Sequence, residues 1–285
     1  MAKKTRKPQR KTRKKKSGKL NLIIVLVVLI AAVFLLWRYL KPGILNNPES
    51  VVFDSVNNRF LISNTGNGRI ISMDENGHLK VFLKEGLKNP RGMIFSSPYL
   101  FVADNTNVHA IDVQAEKIVY SIAVEGAKQL NDIAADHKGL LYVTDTQANR
   151  LYIIEPASKK VEHIEAPELV SPNGLVYDAP RRDMIIVSFR KSSPLLLFNV
   201  ESRQFRTFKE TIFDNLDGIA IDDLGRIYFS SWGEQAIYQI PQEQNQFFLF
   251  KTDLPSPADI YYHEPTHELI VPLFEKNRIE RISLP

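Results

Sequence analysis

The pattern that decides the fold lies at residues 216–230, which read LDGIAIDDLGRIYFS. Two short runs rich in β-branched and aromatic residues flank a segment that begins at Asp222 and ends at Gly225. Glycine supplies the positive φ that tight hairpin turns require, and Asp is a common first turn residue. The stretch therefore predicts an antiparallel pair of short strands.

The opening Leu-Asp-Gly of this stretch is one of six similar openings along the chain. They are Pro48-Glu49-Ser50, Pro90-Arg91-Gly92, Leu130-Asn131-Asp132, Pro172-Asn173-Gly174, Leu216-Asp217-Gly218 and Pro257-Ala258-Asp259. Their middle residues are separated by 42, 40, 42, 44 and 41 positions. Each opening leads into three predicted strands, and a fourth, more polar strand follows in the first five copies.

Four antiparallel strands repeated about every 40 residues are typical of a β-propeller blade. The sequence therefore predicts an all-β chain with a six-bladed β-propeller over residues 48–285. The sixth copy ends after its third strand. We expect its outer strand to be either missing or supplied by residues 41–47, which would close the ring.

The positive charge of the chain is confined to its beginning. Residues 1–19 contain 11 Lys or Arg and no acidic residue, whereas residues 20–285 contain 26 basic and 32 acidic residues. The sequence pI near 9.2 therefore describes a tail, and the body of the protein is mildly acidic. This distribution argues against nucleic acid as a partner and favours contact of the tail with anionic lipid.

An apolar run from residue 22 to residue 37 follows the basic tail. With its flanks it forms a segment at 20–40 that is long enough to cross about 30 Å of hydrocarbon as a helix, with Trp37 and Tyr39 at the interface. A small-x-small cleavage pattern does not follow, so we predict an uncleaved transmembrane signal-anchor helix. The excess of positive charge before the helix predicts a single-pass protein of the cell membrane. Its tail at 1–19 would be cytoplasmic, its linker would be 41–47 and its propeller would lie outside the cytoplasm.

The middle residues of the six openings are candidate site residues, because the innermost strands of a propeller all begin at one mouth of the central channel. These residues are Glu49, Arg91, Asn131, Asn173, Asp217 and Ala258. Several oxygen ligands, two of them carboxylates, are what a hard cation such as Ca²⁺ needs. A simple preference of turns for Asn, Asp, Gly and Pro is the alternative explanation.

With these motifs the chain resembles the gluconolactonase/regucalcin (senescence marker protein) family of six-bladed propellers over residues 48–285. The resemblance is most specific at Pro172-Asn173-Gly174-Leu175, Leu216-Asp217-Gly218-Ile219 and Asn131-Asp132. It implies that Glu49, Asn173 and Asp217 hold a divalent cation, in the first place Ca²⁺, with Zn²⁺ or Mn²⁺ as alternatives.

The same resemblance implies a metal-assisted hydrolase that acts on a small-molecule lactone or ester at the channel mouth. Asp217 would activate water or attack the carbonyl directly, and Asn131 would orient the carbonyl. Arg91 has two interpretations. It either binds an anionic group of the substrate or pairs with Glu49 or Asp217 across the channel.

Two departures from the family pattern limit this prediction. The first opening continues as Glu49-Ser50-Val51 where the family has Glu-Gly-Pro, and Gln129 stands where family lactonases have Arg. Metal binding tolerates these changes better than sugar-lactone specificity does. The alternative function is a non-catalytic propeller that binds a ligand or a protein outside the cytoplasm, because a fold does not determine a function.

Two further patterns are explained by strand connections and packing, without a catalytic or ligand-binding role. The string from His263 to His267 matches His-Glu-x-x-His, but a zinc protease needs it on a helix, and here it contains a Pro and joins two predicted strands. The aromatic residues Phe229, Trp232, Phe248 and Tyr261 are expected to pack within and between blades.

Overall fold

The computed structural model describes residues 22–30, 43–243 and 246–285. Residues 22–30 are helical, and within the described residues no helix is both long enough and apolar enough to cross a membrane. The remainder of the predicted span at 20–40 lies outside the described residues. The same holds for the tail at 1–19 and the first two residues of the predicted linker.

A compact unit extends from Ile44 to Pro285, and its described part contains six antiparallel sheets. Blade 1 contains β1 (Pro48–Asp54), β2 (Arg59–Asn64), β3 (Arg69–Met73) and β4 (Leu79–Leu83). Blade 2 contains β5 (Pro90–Ser96), β6 (Tyr99–Asp104), β7 (Asn107–Asp112) and β8 (Lys117–Ala123). Blade 3 contains β9 (Leu130–Ala135), β10 (Leu141–Asp145), β11 (Arg150–Glu155) and β12 (Lys160–Glu165).

The second half of the ring has the same organisation. Blade 4 contains β13 (Pro172–Asp178), β14 (Asp183–Ser188), β15 (Leu195–Asn199) and β16 (Phe205–Lys209). Blade 5 contains β17 (Leu216–Ile221), β18 (Ile227–Ser231), β19 (Ala236–Ile240) and β20 (Phe248–Lys251). Blade 6 contains β21 (Tyr261–His263), β22 (Glu268–Leu273) and β23 (Arg278–Ser283).

The first strands of the blades form the inner ring. Each of β1, β5, β9, β13 and β17 contacts the first strand of the next blade, and β21 returns to β1. In each sheet the strands pair in chain order from the inside to the outside. This arrangement confirms the predicted six-bladed β-propeller, and the six openings start its inner strands or, in blade 6, come just before it.

The hydrophobic core lies between blades. Each of six buried clusters combines side chains of two neighbouring blades, and the cluster between blades 1 and 6 includes Val51, Phe60 and Ile270. Burying each large apolar side chain contributes about 1.5–3 kcal/mol to the free energy of unfolding. The apolar strands therefore stabilise the ring as a whole, because no blade buries its faces alone.

Blade 6 has three strands within the described residues, so residues 44–47 do not supply its outer strand. Asn47 instead donates its backbone N–H to Asn277 Oδ1 at 2.7 Å, and Gly66 donates to the carbonyl of Asn46 at 3.0 Å. The N–H of Asp259 also donates to the carbonyl of Glu49 at 3.1 Å. Blades 1 and 6 therefore meet through hydrogen bonds and a shared core rather than through an exchanged strand.

Candidate functional site at the channel mouth

A β-bulge follows the first residue of each opening in blades 1 to 5. The strand register shifts between Pro48 and Val51 in blade 1, and at the corresponding positions of the next four blades. A bulge leaves residues out of the regular ladder and turns their side chains away from the alternating pattern of the strand. The second residue of each of these openings lies in the bulge. The bulge therefore explains locally why the side chain of this residue is directed to the channel mouth.

All five predicted site residues line one cavity of about 770 Å³ at this mouth. They are Glu49, Arg91, Asn131, Asn173 and Asp217. Ala258 is fully buried beside them and brings no polar side-chain atom. The structure therefore brings together residues that are up to 168 positions apart in the chain, from Glu49 to Asp217.

Three of these side chains contain a buried oxygen without a partner. Glu49 Oε2, Asn173 Oδ1 and Asp217 Oδ1 accept no hydrogen bond from any part of the chain that the structure describes. Such atoms are uncommon, because an unsatisfied buried acceptor destabilises the folded state. Two carboxylates and one amide oxygen that share a cavity fit a hard divalent cation. Among the described residues no group of three His, Asp or Glu side chains is arranged to hold a metal ion by itself.

Arg91 pairs with Glu49, as one of its two interpretations predicted. Its Nη1 lies 3.5 Å from Glu49 Oε1. Burial raises the pKa of Glu49 well above its ordinary value, although the nearby guanidinium opposes this rise. The charge of Asp217 adds to the rise. The guanidinium of Arg91 therefore faces two buried acids, Glu49 and Asp217.

A second layer of buried carboxyl groups lies at the third position of the openings. Sequence analysis gave no role to Asp132 and Asp259, whose only signal was an acid at a position that is elsewhere Gly or Ser. Asp132 accepts hydrogen bonds from the N–H groups of Ile133 at 2.7 Å and Leu175 at 2.8 Å, and Asp259 accepts one from the Ser50 hydroxyl at 2.7 Å. These bonds tie neighbouring blades together beneath the cavity.

Burial raises the pKa of the acids in both layers, and the charge of Asp259 adds to the rise at Asp217 and Asp132. Burial raises the pKa of Asp217 to about 7, with a further contribution from Asp259 and an opposing one from Arg91. Burial likewise raises the pKa of Asp259 to about 7. The pKa of Asp132 is raised well above its ordinary value by burial and by Asp259. Each of these groups is easier to ionise when a cation is close.

Glycine at the third position of an opening allows neighbouring blades to approach closely. A Cβ atom at Gly174 would overlap the carbonyl oxygen of Asp217, and one at Gly218 would overlap the backbone of Asp259. The Asn-Gly and Asp-Gly pairs of the sequence motifs therefore have two roles. The Asn or Asp presents its side chain to the cavity, and the glycine allows the short distance between its own blade and the next one.

Aromatic side chains form another part of the cavity wall. Phe189, Trp232 and Phe274 line it and are half-buried. Trp232 packs between blades as predicted, against Phe189 and Phe274, and its ring also borders the cavity. Phe229 is fully buried in the core as predicted, whereas Phe248 is 47% exposed on β20. The His263–His267 string forms a strand end and a short 3₁₀ helix (Glu264–Thr266), so the hairpin prediction holds.

A family model for the SMP-30/gluconolactonase/LRE-like region matches residues 47–262 of the chain. The chain belongs to this family. The match begins just before β1 and includes all six openings, and it confirms the resemblance predicted from the motifs. The SMP-30/gluconolactonase/LRE-like fold therefore places Glu49, Asn173 and Asp217 at the start of inner strands of blades 1, 4 and 5.

Solved structures show the same fold at low sequence identity. A gluconolactonase from Xanthomonas campestris matches with a TM-score of 0.73 and 13% identity, over 85% of this chain and 87% of the other. A virginiamycin B lyase from Staphylococcus aureus matches with a TM-score of 0.67 and 15% identity, over 86% of this chain and 83% of the other. At such identities the likeness concerns the fold alone.

A curated relative matches only part of this SMP-30/gluconolactonase/LRE-like chain. NHL repeat-containing protein 2 of Bos taurus is 26% identical over 116 residues, which is 35% of this chain and 16% of that protein. The chain therefore corresponds to a small part of that larger relative.

Proposed function

We propose that the cavity binds a divalent cation, in the first place Ca²⁺, and hydrolyses a lactone or an ester. The observation that supports this proposal is the set of three unpartnered oxygens on Glu49, Asn173 and Asp217, which share one cavity and have no hydrogen-bond donor within the described chain. Membership of the SMP-30/gluconolactonase/LRE-like family supports the reaction class.

The residues of the chain have separate roles in this proposal. Glu49, Asn173 and Asp217 would hold the cation, which when bound would polarise the scissile carbonyl and stabilise the developing oxyanion. The ionised carboxylate of Asp217 would take a proton from the attacking water or attack directly. Asn131 lines the same cavity and would donate its amide N–H to the carbonyl oxygen.

Arg91 would lower the electrostatic repulsion between the buried acids. Its guanidinium lies beside Glu49, and 20% of the Arg91 side chain is exposed. A partly exposed guanidinium at a cavity wall also offers hydrogen-bond donors to an anionic group. Arg91 would therefore combine the two interpretations that the sequence left open.

The test combines metal analysis with a panel of lactones and esters. The full chain would be purified, its metal content measured, and hydrolysis followed after chelation and after addition of Ca²⁺, Zn²⁺ or Mn²⁺. We expect activity that depends on the cation and is lost in Asp217→Asn. The control is Asp253→Asn, since Asp253 is exposed outside the cavity.

The outcomes separate the two functions. Bound cation without hydrolysis of any substrate would replace the hydrolase with a ligand-binding propeller. A protein that neither binds a cation nor responds to one would overturn the whole proposal.

We also propose that residues 20–40 anchor the protein in the cell membrane, with the tail at 1–19 in the cytoplasm and the propeller outside it. The support is the apolar run at 22–37 behind 11 cationic residues. A basic segment beside such a helix remains on the cytoplasmic side and is attracted to anionic lipid.

A further inference from the structure

Six positions around the channel mouth are structurally equivalent, because each directly follows the second strand of its blade. They are Thr65, Asn105, Thr146, Phe189, Trp232 and Phe274. In every blade but the second, the backbone N–H at this position donates to the carbonyl of the residue that precedes the opening. These distances are 3.1 Å for Thr65, 3.1 Å for Thr146, 2.9 Å for Phe189, 3.0 Å for Trp232 and 3.0 Å for Phe274.

The side chains at these positions divide the ring into two halves. Blades 1 to 3 have Thr, Asn and Thr, whereas blades 4 to 6 have Phe, Trp and Phe. We call Phe189, Trp232 and Phe274 the aromatic half-ring. The cavity wall on the blade 3 side is polar instead, with Lys128, Gln129, Thr146, Gln147 and Asn149. Structurally equivalent positions thus have polar side chains in one half of the ring and aromatic side chains in the other.

The aromatic half-ring is a continuous surface. The ring centroids of Phe189 and Trp232 are 5.5 Å apart at an interplanar angle of 81°, and those of Trp232 and Phe274 are 5.6 Å apart at 50°. Such distances are those of favourable aromatic contacts. The three rings are nevertheless half-buried and border the cavity, so part of their apolar surface faces open space. Apolar surface in a concave site with a few polar groups is typical of a ligand pocket.

The half-ring lies next to the proposed reacting group. Leu216 pairs with Ser231 in neighbouring strands of blade 5, so the residues that follow them in the chain, Asp217 and Trp232, lie close together at the cavity mouth. Both Trp232 Nε1 and Asp217 Oδ1 are buried, and neither has a partner in the described part of the chain. A ring stacked on Trp232 would therefore lie directly beside a carbonyl held at Asp217.

We propose that the substrate is a lactone or ester with an aromatic ring adjacent to its carbonyl or leaving oxygen, rather than a polyhydroxylated sugar lactone. This inference rests on the hydrolase function proposed above. A sugar needs a hydrogen-bond partner for each hydroxyl group, and on its side of the cavity the aromatic half-ring offers only the Trp232 N–H, because the polar wall of the cavity lies on the blade 3 side. A planar ring instead gains contact with Trp232 and Phe274 and displaces water from apolar surface.

Three six-membered lactones test the preference with the reacting ring held constant. Dihydrocoumarin has a fused benzene ring, δ-valerolactone has none, and glucono-δ-lactone has hydroxyl groups. Each kcat/KM is divided by the rate constant of spontaneous hydrolysis, which removes differences in intrinsic reactivity. We expect the normalised value for dihydrocoumarin to exceed both others by about tenfold or more. Equal values, or a preference for glucono-δ-lactone, would overturn the inference and leave the hydrolase intact.

Variants of the half-ring show whether it is responsible. Trp232→Leu and Phe274→Leu should each lower the ratio of the normalised kcat/KM for dihydrocoumarin to that for δ-valerolactone severalfold. Phe248→Leu is the matched control, because Phe248 is an exposed aromatic residue of blade 5 outside the cavity. Melting curves of all variants identify any loss of folding. An unchanged preference in both folded half-ring variants would contradict the inference.

A binding experiment separates the aromatic preference from hydrolysis. The chain has two tryptophans, Trp37 and Trp232, so the full-length Trp37→Phe protein reports on Trp232 alone. We expect 2-tetralone, the ketone analogue of dihydrocoumarin, to quench its fluorescence saturably and cyclohexanone to have at least tenfold weaker affinity. Binding of 2-tetralone without hydrolysis of any lactone would reject the hydrolase while supporting the aromatic pocket. Hydrolysis without binding of 2-tetralone would reject the aromatic substrate alone.

Discussion

The guanidinium Nη1 of Arg91 lies 3.5 Å from Glu49 Oε1, whereas Glu49 Oε2 has no hydrogen-bond partner among the residues that the structure describes. One side of this carboxylate is therefore neutralised by the protein and the other faces the cavity. Asp217 and Asn173 line the same cavity, and each also has a buried oxygen without a partner in the described part of the chain.

Removal of the cation should destabilise the protein. A ligand that binds only the folded state raises the free energy of unfolding by about 2.7 kcal/mol at a hundredfold excess over its Kd. We expect chelator to lower the melting temperature and added Ca²⁺ to restore it. Asp217→Ala should abolish this response, because the site loses a ligand and a charge, and Asp253→Asn should retain it. A melting curve of the wild-type protein that ignores both chelator and Ca²⁺ would contradict the proposed site.

Substitution of Arg91 should increase the stabilisation of the protein by Ca²⁺, whereas substitution of Asp217 should abolish it. In Arg91→Met the carboxylate of Glu49 loses its only cationic partner in the described chain, so the chelated protein should be less stable by about 1–3 kcal/mol. The increase in melting temperature on addition of Ca²⁺ should then be larger than in the wild type, because Arg91 no longer competes for Glu49. Thermal unfolding with and without Ca²⁺ measures both effects. A smaller increase would indicate that Arg91 helps to assemble the site instead.

Gly174→Ala should disturb the site through the backbone. The new methyl group would overlap the carbonyl oxygen of Asp217, so blades 4 and 5 must move apart. We expect a loss of about 1–3 kcal/mol in the free energy of unfolding and weaker Ca²⁺ binding by calorimetry. The control is Gly139→Asn, at a turn with φ of +78° where a Cβ atom meets nothing within 4 Å. Equal effects of the two substitutions would show that the close approach of the blades is unimportant.

The metal-free protein should become less stable as the pH rises from 5 to 8. Asp217 and Asp259 have pKa values of about 7 in the folded state, above the ordinary value of an unfolded Asp near 3.9. Their contribution to stability is therefore complete below the unfolded pKa and is lost as the pH rises through 7. Between the two pKa values each group contributes a slope of about 1.4 kcal/mol per pH unit.

The variant Asp259→Asn isolates one of these contributions. Its free energy of unfolding in chelator should fall less steeply between pH 5 and 8 than that of the wild type, and comparison of the two cancels other titrating groups such as His263. Saturating Ca²⁺ should reduce the wild-type slope, because the cation favours the ionised carboxylates. Identical slopes for wild type and variant in chelator would contradict a raised pKa at Asp259.

Protease accessibility tests the proposed topology. Protease added to intact cells should digest an epitope at the C-terminus and leave an epitope before residue 19 intact, because the basic tail should remain in the cytoplasm. Permeabilised cells provide the control in which both epitopes become accessible. Digestion of the N-terminal epitope alone would reverse the orientation, and protection of both in intact cells would contradict exposure of the propeller.

The sequence by itself determined the number of blades and the position of the candidate site. Each blade starts with an opening triplet and two apolar strands, with a bulge in blades 1 to 5, and such local events leave a repeated pattern of residue types. The second residues of the openings could therefore be named as candidates before their neighbours were known. All five polar candidates line one cavity, because rotation about a common axis brings equivalent positions to the same mouth.

Only the tertiary structure decided which of these residues meet and what surrounds them. Arg91 pairs with Glu49, and Trp232 contacts Phe189 and Phe274, across neighbouring blades whose residues are 42 or 43 positions apart in the chain. The burial of Asp132 and Asp259 likewise depends on the assembled ring. The repeat has nearly the same period in polar and aromatic copies, so periodicity does not distinguish an aromatic residue at the cavity from one in a blade core. That difference depends on which side chains remain exposed at the cavity after the six sheets have packed around the common axis. This packing exists only in the closed ring.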